Sequence, residues 1–187
     1  MFLEFLKLGI THILDINGVD HILFLVGLSI IYTIKDWKTV VWLATAFTLG
    51  HSITLALSAV DVIKVDSNTI EILIALSIFL VAIFNIILPR STERLSLRWR
   101  YISAGIFGLI HGIGFSNFFS IMLSGDSLTI PLLGFNIGVE IAQVLIVGAV
   151  LILSSIISKN YSRKLYVNMI SGIIAIWAIK LIMERIM

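Results

Sequence analysis

The chain consists of long apolar runs separated by short stretches of charged and turn-forming residues. Each run has about 17–25 residues, the length that an α-helix needs to cross roughly 30 Å of hydrocarbon. Continuous apolar runs, rather than alternating ones, are typical of helices and not of the strands of a membrane barrel. The pattern predicts six membrane spans, near residues 18–35, 38–60, 69–88, 101–123, 131–157 and 165–184.

The composition supports this fold class and excludes several others. Of the 187 residues, 59% are hydrophobic and 13% are charged, and the mean hydropathy is +1.09. These values are those of an integral membrane protein, so we predict an all-α, polytopic helical bundle that forms one domain in the lipid bilayer. The net charge is only +2, and no basic cluster is interleaved with aromatic residues, which argues against nucleic acid as a partner. Because the chain has no cysteine, a metal ion would need nitrogen and oxygen ligands.

The charged residues predict an orientation. Nine of the 13 basic residues lie in the connections after the first, third and fifth spans. Because lysine and arginine accumulate on the cytoplasmic side, both termini are predicted to lie outside a cell membrane. The segment that begins at Met1 has no basic n-region, so we interpret it as a short helix on the membrane surface rather than a signal peptide. The outer connections carry five carboxylates that either attract cations or are simply solvated: Asp15, Asp61, Asp66, Glu71 and Asp126.

Two histidines, His51 and His111, lie near the centres of the second and fourth predicted spans. An ionisable side chain is costly in hydrocarbon unless it faces the bundle interior or a water-filled cavity, so both indicate a functional site. Gly105, Gly108 and Gly112 flank His111 at spacings that let a neighbouring helix approach closely. The stretches around the two histidines share the pattern Phe-x-Leu-x-His-x-Ile, which hints at a parallel internal repeat.

Further polar residues occur in the first and fifth predicted spans. Asp20 and His21 are adjacent, and such a pair can bind a metal ion together or orient one group by the other. A helix cap is the alternative role for Asp20. Asn136, Glu140 and Gln143 recur at i, i+4 and i+7 and so form one polar stripe. The Glu140 carboxylate must be neutral, paired or bound to a cation, and a hydrogen-bond network between helices is the alternative.

The candidate metal ligands are Asp20, His21, His51, His111 and Glu140. Counted by depth, we expect His51 and His111 near the midplane, Glu140 slightly outward of them, and the adjacent pair nearest the outer surface. Imidazoles and carboxylates together suit a divalent transition metal such as nickel, cobalt or zinc, as substrate or bound ion. His12, at the outer edge, is either an entrance ligand or a solvated side chain.

These motifs resemble those of the HupE/UreJ family of small membrane proteins. The resemblance rests on four stretches in the same order, residues 12–25, 46–55, 107–115 and 134–140. It implies a nickel or cobalt permease. In the hydrogenase-linked members, five residues separate a histidine from the Asp-His pair, whereas here His12 precedes Asp20 by seven intervening residues.

The sequence therefore predicts a permease for a divalent metal cation, with a pathway of histidines and carboxylates entered from outside. Transport is favoured over catalysis, but two alternatives stay open. The first is an intramembrane zinc-dependent hydrolase for a lipid-like substrate, because three histidines can hold zinc and leave a position for water. The second is a metal-binding membrane partner that does not transport. Homo-oligomerisation is also left open.

Overall fold

The computed structural model describes residues 1–16, 18–59, 62–63, 65–88, 94–123 and 128–186. Every regular element in this part of the chain is helical, which confirms the predicted all-α class. The elements are α1 (Phe2–Ile13), α2 (Asp20–Ser29), a 3-10 turn (Ile34–Asp36), α3 (Trp37–Ala59), α4 (Ser67–Ile87), α5 (Arg94–Leu123), α6 (Thr129–Asn160) and α7 (Arg163–Ile186).

Four stretches of the described chain combine the length and the apolar composition of a membrane span: Ile34–Ser58, Ser67–Ile87, Thr129–Lys159 and Arg163–Ile186. The first comprises the 3-10 turn and most of α3, and the others lie in α4, α6 and α7. The helix α5 has 30 residues and so has sufficient length, but it is not among the four. The helix α2 has only 10 residues. A helical membrane bundle is therefore supported, whereas length and composition do not by themselves establish six spans.

The first predicted span is not one continuous helix. Its apolar run continues to residue 34, but α2 ends at Ser29 and the backbone is extended at Thr33. Thr33 and Asp36 then form a capping box, in which the Thr33 backbone N–H donates to Asp36 Oδ2 at 3.0 Å. This reciprocal cap satisfies backbone donors at the start of the next helical segment, so it ends one helix and begins another within the apolar run. The other five predicted spans coincide with α3 to α7 to within a few residues at most ends.

The helices α3 and α5 pack in parallel with their backbones in direct contact. A Cβ atom added at Gly108 would collide with the carbonyl oxygen of Phe47, and one at Gly112 would collide with that of His51. Four residues along α3 thus correspond to four residues along α5 in the same direction. The prediction that these glycines admit a close neighbour is confirmed, and the two stretches that share the histidine pattern lie side by side.

The N-terminal helix is a packed element of the bundle and not an isolated surface helix. A Cβ at Gly138 of α6 would collide with the carbonyl oxygen of Leu6, and one at Gly134 would lie 2.6 Å from that of Phe2. From α1, a Cβ at Gly9 would likewise meet the α6 backbone. The helix α1 therefore fills the groove that these glycines leave along the first half of α6, and it runs parallel to α6.

Polar contacts hold the remaining helices together. Asn85 of α4 donates from Nδ2 to the carbonyl oxygen of Gly27 at 2.6 Å, which ties α4 to α2. The backbone N–H of Ile34 donates to Ser155 Oγ of α6 at 2.9 Å. The second contact places the 3-10 turn before α3 beside the last third of α6.

Candidate metal centre

The four histidines of the chain, each from a different helix, lie together in the bundle. The ring centroids are 4.4 Å apart for His12 and His21, and 5.1 Å apart for His21 and His111. The ring of His51 lies 5.8 Å from that of His12 and 6.2 Å from that of His21. We call these four rings the histidine cluster. The structure thus brings together three of the predicted ligands and adds His12, whose role the sequence left open.

Three side chains of the histidine cluster are buried, His12 is partly exposed, and most of the ring nitrogens lack a partner. The side chains of His51 and His111 are 0% and 1% exposed. The Nε2 atoms of His12, His21 and His111 and both ring nitrogens of His51 are buried without a hydrogen bond. Leaving a buried polar atom unpaired costs about 1–3 kcal/mol, so such atoms are rare in folded proteins. Five of them in one cluster indicate a site that a ligand completes.

His111 is oriented by its own helix. Its Nδ1 atom lies 2.8 Å from the carbonyl oxygen of Phe107. Because a carbonyl can only accept, Nδ1 carries the proton and Nε2 keeps a free lone pair. Metal-binding histidines commonly show this arrangement, in which one ring nitrogen donates to a carbonyl and the other binds the ion.

The ring separations are close to those around a shared metal ion. With a metal–nitrogen distance of about 2.1 Å, two ligating rings have centroids roughly 4.5–5.5 Å apart. The pairs that His21 forms with His12 and His111, at 4.4 and 5.1 Å, are near this range, whereas the two distances to His51 exceed it. Among the described residues, no three His, Asp or Glu side chains already form a complete metal site. The range applies to neighbouring ligands, and rings on opposite sides of an ion are up to roughly 6.5 Å apart, so the distances to His51 are compatible with binding to the same ion.

Phenylalanines from four helices surround the cluster: Phe24, Phe47, Phe115 and Phe135. The ring of Phe115 lies 3.9 Å from that of His12, and Phe135 stacks on His51 at 6.0 Å. Apolar walls exclude water and lower the local dielectric constant, which strengthens the attraction between an ion and its ligands. These residues carry no signal in the sequence, because a phenylalanine in an apolar run looks like any other core residue.

A cavity of about 260 Å³, which we call the entrance cavity, has three of the four histidines in its wall. Its charged lining residues are Asp20, Glu71 and Arg185. The N-cap of α2 is Val19, so the carboxylate of Asp20 does not have the role of a helix cap. Arg185 Nε lies 2.6 Å from Glu71 Oε2, as an ion pair without the geometry of a hydrogen bond. The carboxylate of Asp20 and the ion pair of Glu71 with Arg185 thus line the same cavity as three members of the histidine cluster.

The other predicted outer carboxylates have different positions. Asp66 is the N-cap of α4 and accepts a hydrogen bond from the Thr69 backbone N–H at 3.0 Å. Asp15 lines a second cavity, of about 540 Å³, between α1 and α5. Asp61 and Asp126 lie outside the described residues. Of the five carboxylates predicted at the outer side, Glu71 is the one that the described residues place in the wall of the entrance cavity.

Glu140 belongs to a separate polar group. Its Oε1 accepts from Thr45 Oγ1 at 2.6 Å, and its Oε2 accepts from Thr48 Oγ1 at 2.8 Å. The Thr48 hydroxyl also lies 3.0 Å from Gln143 Oε1. Both threonines precede His51 toward the start of α3, the predicted inner end. The expectation that Glu140 lies outward of His51 is therefore wrong, and the contacts of the Glu140 carboxylate are those of a hydrogen-bond network between helices.

The fold and the site define a class, the helical membrane proteins with a buried histidine centre. The chain belongs to the HupE/UreJ family, because the family model described as HupE / UreJ protein matches residues 1–185. The resemblance of the four motifs is thereby confirmed. No curated protein and no solved structure matches the chain.

Proposed function

We propose that this protein is a permease for a divalent transition-metal cation, with nickel or cobalt as the substrate. The observation that carries the proposal is the histidine cluster, whose unpartnered ring nitrogens lie beside an open cavity with acidic residues. Nitrogen ligands suit nickel, cobalt and zinc better than calcium or magnesium. Membership of the HupE/UreJ family, which is associated with nickel and cobalt transport or maturation, supports the same substrates.

The proposed topology has six crossings of the cell membrane and both termini outside. The helices α3 to α7 supply five crossings, and the region of α1 and α2 supplies the other. Glu71 is near the start of α4 and Arg185 is near the end of α7, so the entrance cavity opens toward the proposed outer side. The basic residues between the spans support this orientation.

The substrate would pass three groups of side chains in order. Asp20 and Glu71 attract the hydrated cation, and the histidine cluster then replaces part of its water shell. The polar group around Glu140 lies next along α3, on the proposed inner side, and offers oxygen ligands there. Nitrogen ligands followed by oxygen ligands would let the ion bind selectively and then leave.

Flux into liposomes tests the proposal. Purified protein reconstituted with a metal-sensing dye inside the vesicles should take up Ni²⁺ or Co²⁺, and the His51→Ala and His111→Ala variants should not. Gly148→Ala is a control, because a Cβ at Gly148 would have no atom within 4 Å. Mass spectrometry of the same lipids separates the alternatives. Metal-dependent lipid cleavage without flux would establish the hydrolase and overturn the permease.

Removal of the positive charge beside the entrance cavity should accelerate entry. We expect Arg185→Gln to raise the initial uptake rate several-fold at low ionic strength, because the cation meets less repulsion and Glu71 is freed. The effect should shrink near 0.15 M salt, where the Debye length is about 8 Å. Lys180→Gln is the matched control on α7, because Lys180 pairs with Glu184 at 3.4 Å and does not line the cavity. An unchanged or slower rate in Arg185→Gln would contradict this role.

Glu140→Gln should spare metal binding. The amide keeps the shape of the side chain and can still accept a hydrogen bond from Thr45 or Thr48, while the histidine cluster stays intact. We expect stoichiometric binding of Ni²⁺ by calorimetry but slower uptake, because the next ligand along the path has lost its charge. A loss of binding as complete as in His51→Ala would instead place Glu140 in the primary site.

A further inference from the structure

The first two helices are each too short to cross a bilayer. At 1.5 Å per residue, the 12 residues of α1 span about 18 Å and the 10 residues of α2 span about 15 Å. A bilayer core is roughly 30 Å thick, so only their sum reaches across.

The two helices follow α6 in one direction. Phe2 and Leu6 lie against Gly134 and Gly138, in that order, and beyond α2 the Ile34 N–H reaches Ser155. From Gly138 to Ser155 is 17 residues, about 26 Å of helix. The chain from α1 through α2 therefore advances along α6 over nearly the thickness of a membrane without turning back.

From this placement, we propose that α1 and α2 are the two halves of one discontinuous membrane span. The break between Ile13 and Asp20 then lies within the membrane, beside the histidine cluster. This proposal differs from the sequence prediction, in which α1 rests on the membrane surface and the span begins at residue 18. It concerns the architecture of the site and holds whichever reaction the site performs.

The surroundings of the break meet the physical requirement for irregular backbone in a membrane. Such backbone is tolerated only where it is buried in protein or lines a water-filled cavity. Leu14 and Ile16 line the 540 Å³ cavity, and Gly18 and Val19 line the entrance cavity. His12 contributes to the walls of both. The described residues of the break, 14–16 and 18–19, thus line cavities, which are the places where such backbone is tolerated.

The break also places the partial negative charge of a helix C-terminus beside the histidine cluster. His12 lies in the last turn of α1, where the partial negative charge of the helix end favours a cation. Broken helices in transporters coordinate cations with such ends. On the exposed face of α1, Glu4 pairs with the terminal amine of Met1 at 2.7 Å, and Lys7 is one turn further on. Both charges are in the first two turns, where a lysine side chain can reach the membrane interface.

Depth measurement on single-cysteine variants tests the proposal. Because the chain has no cysteine, Leu3→Cys and Leu14→Cys each give one labelling site, and both side chains are exposed in the structure. A bimane label at each position is quenched in vesicles by phospholipids with nitroxides at known depths. Leu133→Cys and Val144→Cys on α6 supply matched depth references, because both side chains are also exposed and the two positions are 11 residues apart, as are positions 3 and 14. No metal is added, so the result is independent of the proposed transport.

The expected result is a gradient along α1. The label at position 3 should be as shallow as that at position 133, and the label at position 14 should lie about 16 Å deeper, near the depth of position 144. Equal depths at positions 3 and 14, whether shallow or deep, would show a helix parallel to the membrane and overturn the discontinuous span.

Discussion

The substitution Gly108→Ala should prevent stable assembly of the bundle, although it adds only one methyl group. The new Cβ would collide with the carbonyl oxygen of Phe47, and that obstacle is backbone, so no side-chain rotation can relieve it. The helices α3 and α5 must then separate along their whole contact, which also displaces His51 from His111. Overpacking typically costs about 1–3 kcal/mol and sometimes more. Thermal unfolding in detergent should show a clear loss of stability and a larger fraction of aggregated protein.

The matched control, Gly148→Ala, is expected to keep or slightly raise the stability of the protein. In α6, Gly148→Ala meets no atom within 4 Å, and alanine in a helix interior is favoured over glycine by about 0.5–1 kcal/mol. We expect this variant to melt at the temperature of the native protein or slightly above it. If the Gly108 and Gly148 variants melted together, the close parallel contact of α3 and α5 would be wrong.

The second large effect concerns α1 alone. Gly138→Ala should displace α1 from the bundle, because the added Cβ would collide with the carbonyl oxygen of Leu6. The helix α1 packs mainly against α6, so it can move while α3 to α7 stay packed. His12 leaves the histidine cluster with it, and we expect the affinity for Ni²⁺ to fall roughly tenfold or more, as for other losses in the shell around a metal.

Three readouts separate this effect from general damage. Calorimetric titration gives the affinity, a label at Leu14→Cys reports the position of α1, and thermal unfolding reports the rest of the bundle. We expect weaker binding and a shallower label without a large change in melting temperature. Native affinity in a variant with displaced α1 would show that His12 is not a ligand.

The sequence predicts the helices best where one apolar run corresponds to one helix. This holds for α3 to α7. It fails for the first span because hydropathy registers only how apolar a segment is. A half-span packed on α6 and an amphipathic surface helix have the same composition and length, and the contact of Leu6 with Gly138 that distinguishes them is tertiary.

The site, like the fold, is only partly predictable from the sequence. Imidazoles within apolar runs are conspicuous, so His21, His51 and His111 could be found from the sequence. His12 could not be assigned, because its place in the cluster depends on how α1 packs. The sequence places Glu140 too far outward because it gives only the distance of a residue from the end of its span, whereas the offset between α3 and α6 is set by helix length and packing.

The claim that the four histidines form one metal site is tested most directly by metal content. The purified protein would be equilibrated with Ni²⁺, Co²⁺ and Zn²⁺ in turn, freed of excess ion, and measured by elemental mass spectrometry. The variants are His12→Ala, His21→Ala, His51→Ala and His111→Ala, with Gly148→Ala as the control. We expect one ion per chain in the native protein and the control, and a loss of bound ion in every histidine variant. A folded native protein without metal, or histidine variants that keep the full stoichiometry, would contradict a shared site.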